Sequence, residues 1–300
     1  MLMAAGCPRS RGREDAFAME VIRARLAGFC MGVGLALKKL DALVDDGAPR
    51  PTFMLGPIIH NPQVLERYAS KGIGLAKTPA DLPDDCRVVI RAHGIPREDE
   101  AALMLRGVEI VDATCPKVKR AQLLIAEQTA QGGSLLLYGE DDHPEVRGLL
   151  SYAGPDAFVF ETAAELAAHE LSPGGRYFLA AQTTQDRAGF QTIHADLKRR
   201  LPGGIPTLET ICDATRLRQQ EAITLAGKVD CAVVAGGKAS GNTRRLAQVM
   251  EAAGTPTVLV ETVDDLRGVD LSRYKRMGLT AGASTPKSII DGIEAYLSAL

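Results

Sequence analysis

Short β-branched or leucine-rich runs alternate with helical periodicity along the whole chain. Val88-Val89-Ile90, Leu135-Leu136-Leu137-Tyr138, Tyr177-Phe178-Leu179, Cys231-Ala232-Val233-Val234 and Val258-Leu259-Val260 read as strands. Patterns such as Val118 to Gln128 and Arg218 to Gly227 read as the helices between them. Pro62, Pro116, Pro144 and Pro286 stand where helices open, as proline favours the first helical position. This alternation predicts an α/β fold of parallel sheets covered by helices. In such sheets the working loops lie at the carboxyl ends of the strands.

Three cysteines occupy one kind of place in that pattern. Cys30 follows the strand-like run from Val21 and precedes a helical run from Gly34 to Leu43. Cys115 follows Val108-Glu109-Ile110-Val111 and opens Pro116-Lys117-Val118, while Cys212 follows Leu208-Glu209-Thr210-Ile211 and opens Asp213-Ala214-Thr215. A polar loop comes 28 to 30 residues after each thiol, at His60, His143 and Ser240. A second follows, at Arg91-Ala92-His93-Gly94, Gln182-Thr183-Thr184 and Ala281-Gly282-Ala283-Ser284. The order cysteine, polar loop, polar loop is written three times, at a spacing of about one βαβ unit. It divides the chain into α/β units over 20–96, 97–190 and 191–300, after a flexible N-terminal arm over 1–19. Either Met19 is the natural start or the first residues fray.

Composition narrows the function classes. A formal net charge of −2 over 300 residues gives no electrostatic footprint for nucleic acid. No apolar stretch approaches the roughly 20 residues of a membrane helix, and no secretory segment opens the chain. Six cysteines without a CxxC pair do not form a disulfide scaffold, so a cytoplasmic location is expected.

A single strand-end cysteine is usually a small buried hydrophobe. Three at equivalent junctions, each under helix N–H groups, instead suit thiolates gathered on a metal cluster. Three thiolate ligands on an iron–sulfur cluster leave one iron without a protein ligand, the open position that catalysis needs. His60, His93 and His143 supply imidazole donors for an anion at matching loops, and Ser240, Asn242 and Ser284 add neutral donors from glycine-rich turns. Six donors around one cavity suit a diphosphate. Glu145, at a helix start, either complements the helix dipole or donates a proton, with Thr183 as relay. Gly32-Val33-Gly34 and Gly236-Gly237-Lys238 fail the dinucleotide and phosphate-loop fingerprints.

Gly28-Phe29-Cys30-Met31-Gly32-Val33, Ala92-His93-Gly94, Asp112-Ala113-Thr114-Cys115-Pro116, His143-Pro144-Glu145-Val146, Gln182-Thr183-Thr184, Cys212-Asp213-Ala214-Thr215 with Arg218-Gln219, and Thr280-Ala281-Gly282-Ala283-Ser284 together resemble the LytB/IspH family. The resemblance runs in order from about Met19 to the C-terminus. It implies a trefoil of three α/β domains around one 4Fe-4S cluster held by Cys30, Cys115 and Cys212, with one open iron. It further implies diphosphate binding by His60, His93, His143, Ser240, Asn242 and Ser284, and protonation by Glu145 beside Thr183. The activity implied is reductive dehydroxylation of (E)-4-hydroxy-3-methylbut-2-enyl diphosphate to isopentenyl and dimethylallyl diphosphate, with ferredoxin or flavodoxin as electron donor. In one departure, Ser240-Gly241-Asn242 stands where some members carry a serine pair, so a side-chain hydroxyl is lost at Gly241. Two rival readings remain: a metal-free Cys/His hydrolase using one thiolate, and a non-catalytic iron–sulfur sensor.

Overall fold

The computed structural model describes residues 19–46, 50–172, 174–201 and 203–300. Apart from Met19, the arm expected over 1–19 lies outside the described residues. The first third of the chain runs β1 (Glu20–Arg23), α1 (Met31–Asp45), β2 (Thr52–Leu55), α2 (Pro62–Ala69), β3 (Gly74–Ala76), β4 (Arg87–Ile90), α3 (Arg97–Arg106) and β5 (Glu109–Asp112). Then come α4 (Pro116–Ala130), β6 (Ser134–Tyr138), α5 (Pro144–Leu150), β7 (Phe158–Phe160), α6 (Ala163–Ala168), β8 (Tyr177–Ala181) and α7 (Arg187–Arg200). The last part holds α8 (Asp213–Ala226), β9 (Cys231–Ala235), α9 (Gly241–Ala252), β10 (Thr257–Val260), β11 (Arg276–Ala281) and α10 (Lys287–Leu297).

The strands form three parallel sheets, ordered β3-β2-β4-β5, β7-β6-β8 and β10-β9-β11-β1. Every pairing is parallel, as expected for strands that are apolar on both faces. Each sheet carries a separate apolar cluster on either face. In the first, Met54 and Val89 pack against Leu37 and Leu40 of α1, while Val88 and Ile90 meet Leu103 of α3. Fully burying one such Leu, Ile or Phe side chain stabilises the fold by roughly 1.5–3 kcal/mol. Three cores of this kind make three lobes. No helix among the described residues is long and apolar enough to cross a membrane.

The lobes share one frame. β2, β3 and β4, then β6, β7 and β8, then β9, β10 and β11 count as the first, second and third strands of the three lobes. A glycine N–H after each first strand reaches the end of the second: Gly56 to Ala76 O (2.8 Å), Gly139 to Phe160 O (3.0 Å) and Gly236 to Val260 O (2.8 Å). Gly56 and Gly236 hold φ of 73° and 147°, where a Cβ would be strained.

Strand pairing departs from the sequential division 20–96, 97–190, 191–300 in two places. β1 pairs in parallel with β11, so the N-terminal strand completes the third sheet. β5 pairs with β4 and closes the first sheet, although it falls within the unit expected over 97–190. The threefold repeat is therefore circularly permuted. A short buried parallel strand carries no register signal in its side chains, so sequence order alone assigned both strands to the wrong neighbour. Two smaller expectations also change. Leu208 to Ile211 forms no strand; the chain there touches the second sheet by one bridge, Leu179 to Thr207. Pro286 is the N-cap of α10, one residue before the first helical position, which Pro62, Pro116 and Pro144 do occupy.

Candidate functional site

Each cysteine sits where the chain leaves one lobe for the next. Cys30 lies between β1 of the third sheet and α1 on the first. Cys115 lies between β5 of the first sheet and α4, whose Ala121 and Ile125 pack on the second. Cys212 lies between the bridge at Thr207 and α8, whose Ala222 and Leu225 pack on the third. All three are helix N-caps. The same backbone bond fixes each one: Cys115 N to Ala92 O (2.9 Å), Cys212 N to Thr183 O (3.0 Å) and Cys30 N to Ala283 O (3.1 Å). The accepting residues each follow the third strand of a sheet by two positions. They lie in matching turns, closed by Gly94 N to Arg91 O, Gln185 N to Gln182 O and Thr285 N to Gly282 O.

This repetition brings the three thiols to one central cavity, which they line with His60, His93, His143, Glu145, Thr183, Ser240, Asn242 and Ser284. Gly32 shows how close the sulfurs are. A Cβ there would collide with Cys115 Sγ and stand 3.9 Å from Cys30 Sγ, so two of the thiols flank one glycine. The other two cysteines among the described residues, Cys86 and Cys231, are fully buried in apolar clusters.

Opposite the thiols stand the donors. His60, His143 and Ser240 each fall five residues beyond the end of a first strand, and His93 and Ser284 three beyond the end of a third. The imidazole centroids are 4.7, 5.3 and 5.6 Å apart. His143 Nδ1 caps α5 by accepting from Glu145 N at 3.1 Å, which leaves Nε2 as the N–H that faces away from the helix. Ser240 Oγ caps α9 through Thr243 N, and Ser284 Oγ donates to His60 O at 3.4 Å. On these cavity-lining residues three buried atoms have no partner: His60 Nε2, His93 Nδ1 and Asn242 Nδ2. An orphaned buried polar atom costs about 1–3 kcal/mol, so the cavity is built to receive something that accepts. One nitrogen from each imidazole lies within 4.8 Å of the others, a spacing that a cation would also fit. The amide nitrogen of Asn242 decides the matter, because it can only donate.

Electrostatics agree. Burial, followed by the charges of Arg91 and Arg244, pushes His60 below the usual imidazole range. Burial and the neighbouring imidazoles hold His93 well below it, and His143 is pushed down to about 3, again mainly by burial. All three are neutral near pH 7, and an anion placed among them restores their basicity. Glu145 shifts the other way. Its Oε1 accepts from Thr183 N at 2.6 Å and its Oε2 from Thr183 Oγ1 at 2.9 Å, which favour the anion. Burial outweighs them and raises the carboxyl to about 7. A carboxylic acid that keeps its proton near neutrality, beside an anion site, is a proton donor in waiting.

Several contributors were given no role from sequence. Arg218 is buried, donates to Gly28 O at 2.8 Å, and brings a fixed positive charge near Cys30 and Cys212. Gln182 accepts from Glu140 N and donates to Thr184 Oγ1, bracing the loop that holds Thr183. Glu140 and Arg244 form an ion pair at 2.5 Å between the second and third lobes. The glycines at 56, 139 and 236, each four residues before His60, His143 or Ser240, were the signal that could have set the repeat in register.

The molecule is thus a three-lobed α/β protein whose interlobe crossovers place three thiols against a polar, anion-receiving cavity. The family model described as LytB protein matches residues 21–298, and the chain belongs to that family. It is similar to the 4-hydroxy-3-methylbut-2-enyl diphosphate reductase of Nitratidesulfovibrio vulgaris (strain Miyazaki F), with 58% identity over 94% of this chain and 100% of the relative. The enzyme of the same name from Geobacter sp. is 39% identical over 94% of this chain and 98% of its own length. Among solved structures, the E-1-hydroxy-2-methyl-but-2-enyl-4-diphosphate reductase from Plasmodium falciparum superposes with a TM-score of 0.88 at 25% identity, covering 93% of this chain and 87% of that one. A structure of (E)-4-hydroxy-3-methyl-but-2-enyl diphosphate reductase aligns with a TM-score of 0.65 at 35% identity, covering 94% and 100%. Membership of this family implies an iron–sulfur cofactor and an electron donor.

Proposed function

We propose that this chain is a cytoplasmic reductase that converts (E)-4-hydroxy-3-methylbut-2-enyl diphosphate to isopentenyl and dimethylallyl diphosphate, the last step of the non-mevalonate route to isoprenoids. The observation that carries the reading is one cavity lined by three partly exposed thiols, by unpartnered buried donors and by Glu145, whose buried carboxyl is raised to about 7. Overall, one C–O bond breaks and one C–H bond forms, with two electrons and two protons consumed and water released. A 4Fe-4S cluster held by Cys30, Cys115 and Cys212 would supply electrons and, at its open iron, Lewis acidity. All-thiol donors and the side-chain-free Gly32 between two of them fit that group.

The chain's own residues do the rest. His60, His93, His143, Ser240, Asn242 and Ser284 bind the diphosphate and fix the allylic end near the thiols. Glu145 gives a proton to the departing hydroxyl, and Thr183, hydrogen-bonded to both its oxygens, holds the carboxyl in place. Ferredoxin or flavodoxin delivers the electrons. Among the described residues no imidazole is hydrogen-bonded to a thiol, which leaves a Cys/His hydrolase without its base. Anaerobic loading with iron and sulfide, followed by product analysis with the allylic diphosphate and a chemical reductant, tests the reading. A loaded protein that binds diphosphate but forms neither product would leave the sensor reading in its place.

A further inference from the structure

Seen from outside, the thiol side of the cavity is framed by the N-terminal halves of α1, α4 and α8. Lys117 of α4 reaches Asp213 of α8 at 3.3 Å, Lys39 of α1 donates to Asp112 O beside α4, and Arg218 of α8 holds the loop before α1. Their solvent faces are unusual in two ways. Twelve large hydrophobic side chains are exposed among the described residues, and five of them lie here: Phe29, Met31, Leu35, Leu123 and Leu217. Isolated exposed hydrophobics need no explanation, but their concentration around one feature marks an interaction surface.

The charge is also one-sided. Within the first nine residues of the three helices, Lys38, Lys39, Lys117, Lys119, Arg120 and Arg216 reach the surface against only Asp213 and Glu221, in a chain whose net charge is −2. Lys38 and Arg120 have no ion-pair partner among the described residues, and three helix N-termini add their own positive ends. The surface also reaches a thiol directly. A depression of about 160 Å³ between α4 and α8 is lined by Cys212, which faces the central cavity as well; its walls carry Lys117 paired with Asp213, Arg187 paired with Glu209, and the unpaired Arg120.

We infer that this face, where exposed apolar side chains and unpaired cations share the helix turns beside the outer side of Cys212, is the docking surface for a small acidic electron-carrier protein. The inference rests on the reductase reading and says where its electrons enter. Each reduced carrier gives up one electron and leaves oxidised, so two encounters on this face serve one turnover. Charge complementarity steers such encounters and makes them salt-sensitive, while the exposed hydrophobics supply a short-lived, dry contact.

The experiment uses the iron- and sulfide-loaded chain with an acidic bacterial ferredoxin as the probe, beside reduced methyl viologen, a small cation that needs no docking face. In the triple variant Lys38→Glu, Arg120→Glu, Leu217→Ser, kcat/KM for reduced ferredoxin should fall by about tenfold or more at low ionic strength. Viologen-driven turnover should stay within about twofold, and the loss should shrink as salt is raised. Carbodiimide cross-links from ferredoxin carboxylates should map to Lys38, Lys39, Lys117 or Lys119 in the unmodified chain, a readout that needs no turnover. Equal ferredoxin kinetics in variant and parent would overturn the inference. So would cross-links confined to lysines elsewhere, or scattering that shows a second copy of this chain covering the face. A parent that fails with viologen but cross-links as expected would count against the reductase reading and leave the docking face standing.

Discussion

The two sides of the central cavity rest on the same backbone frame, yet they treat it differently. On the thiol side all three lobes place the same residue, under the same bond to the residue two beyond a third strand. On the donor side the equivalent positions have diverged, to His60, His143 and Ser240 in the first loops and to His93, Thr184 and Ser284 in the second. The proposed function accounts for the difference by what each side would hold. Three soft, identical ligands suit a cluster with near-equivalent metal corners. A diphosphate with one reacting end has no threefold symmetry, so identical donors would serve it badly.

The largest effect should come from breaking the uniform side. Cys30→Ser, Cys115→Ser and Cys212→Ser should each abolish stable iron and sulfide binding, while Cys231→Ser keeps both; iron and sulfide analysis after anaerobic loading checks this. Next comes the divergent side at its most specialised point. Glu145→Gln should retain the cluster and diphosphate affinity but lower turnover about 10²- to 10⁴-fold, the usual worth of a placed proton donor. Because the Glu145 carboxyl is raised to about 7, it holds its proton below that pH and loses it above. Parent turnover should therefore fall as pH rises through about 7, a limb that the glutamine variant lacks.

Removing one donor tests whether the cavity is an anion site. His60→Ala should weaken inorganic diphosphate by about 10- to 100-fold by calorimetry, in keeping with one hydrogen bond to a charged group. Since the bound anion raises the depressed imidazoles, diphosphate binding should take up protons and tighten as pH falls toward 6. The smallest effect belongs to Gly241, where the family resemblance leads one to expect a second serine. A Cβ at Gly241 would meet Thr184, Gln182 and Glu140 at ordinary contact distances of 3.5–3.6 Å, so Gly241→Ser should fold normally. Its added hydroxyl should lower KM by a few-fold; an unchanged KM would show that the backbone there already suffices.

Much of this site was legible in the chain, and what was missed has physical reasons. Cys30, Cys115, Cys212, His60, His93, His143 and Glu145, picked out from the sequence, all line one cavity, because few residue types suit the chemistry proposed for them. Parallel strands such as Val88 to Ile90 and Leu135 to Tyr138 were plain, since burial on both faces leaves an unbroken apolar run. Pairing was not legible. β1 and β5 are four-residue strands whose side chains do not encode a neighbour, and only the fold shows that each belongs to the sheet across the expected boundary. Arg218 and Gln182 stood in the quoted motifs without a role for a different reason: a buried arginine inside a helical pattern looks like any amphipathic surface residue until its surroundings are known.

The pairing of β1 with β11 has a consequence for how the protein is made. Cys30 emerges early from the ribosome, but the strand that positions it, and Ala283 that pins its amide, are synthesised some 250 residues later. The nascent chain can finish two of its lobes and still present only two of three sulfurs in place. A chain that stops before β11 therefore lacks both the strand that pairs with β1 and the carbonyl that holds the Cys30 amide, so the three-thiol arrangement is completed only by the last part of the sequence.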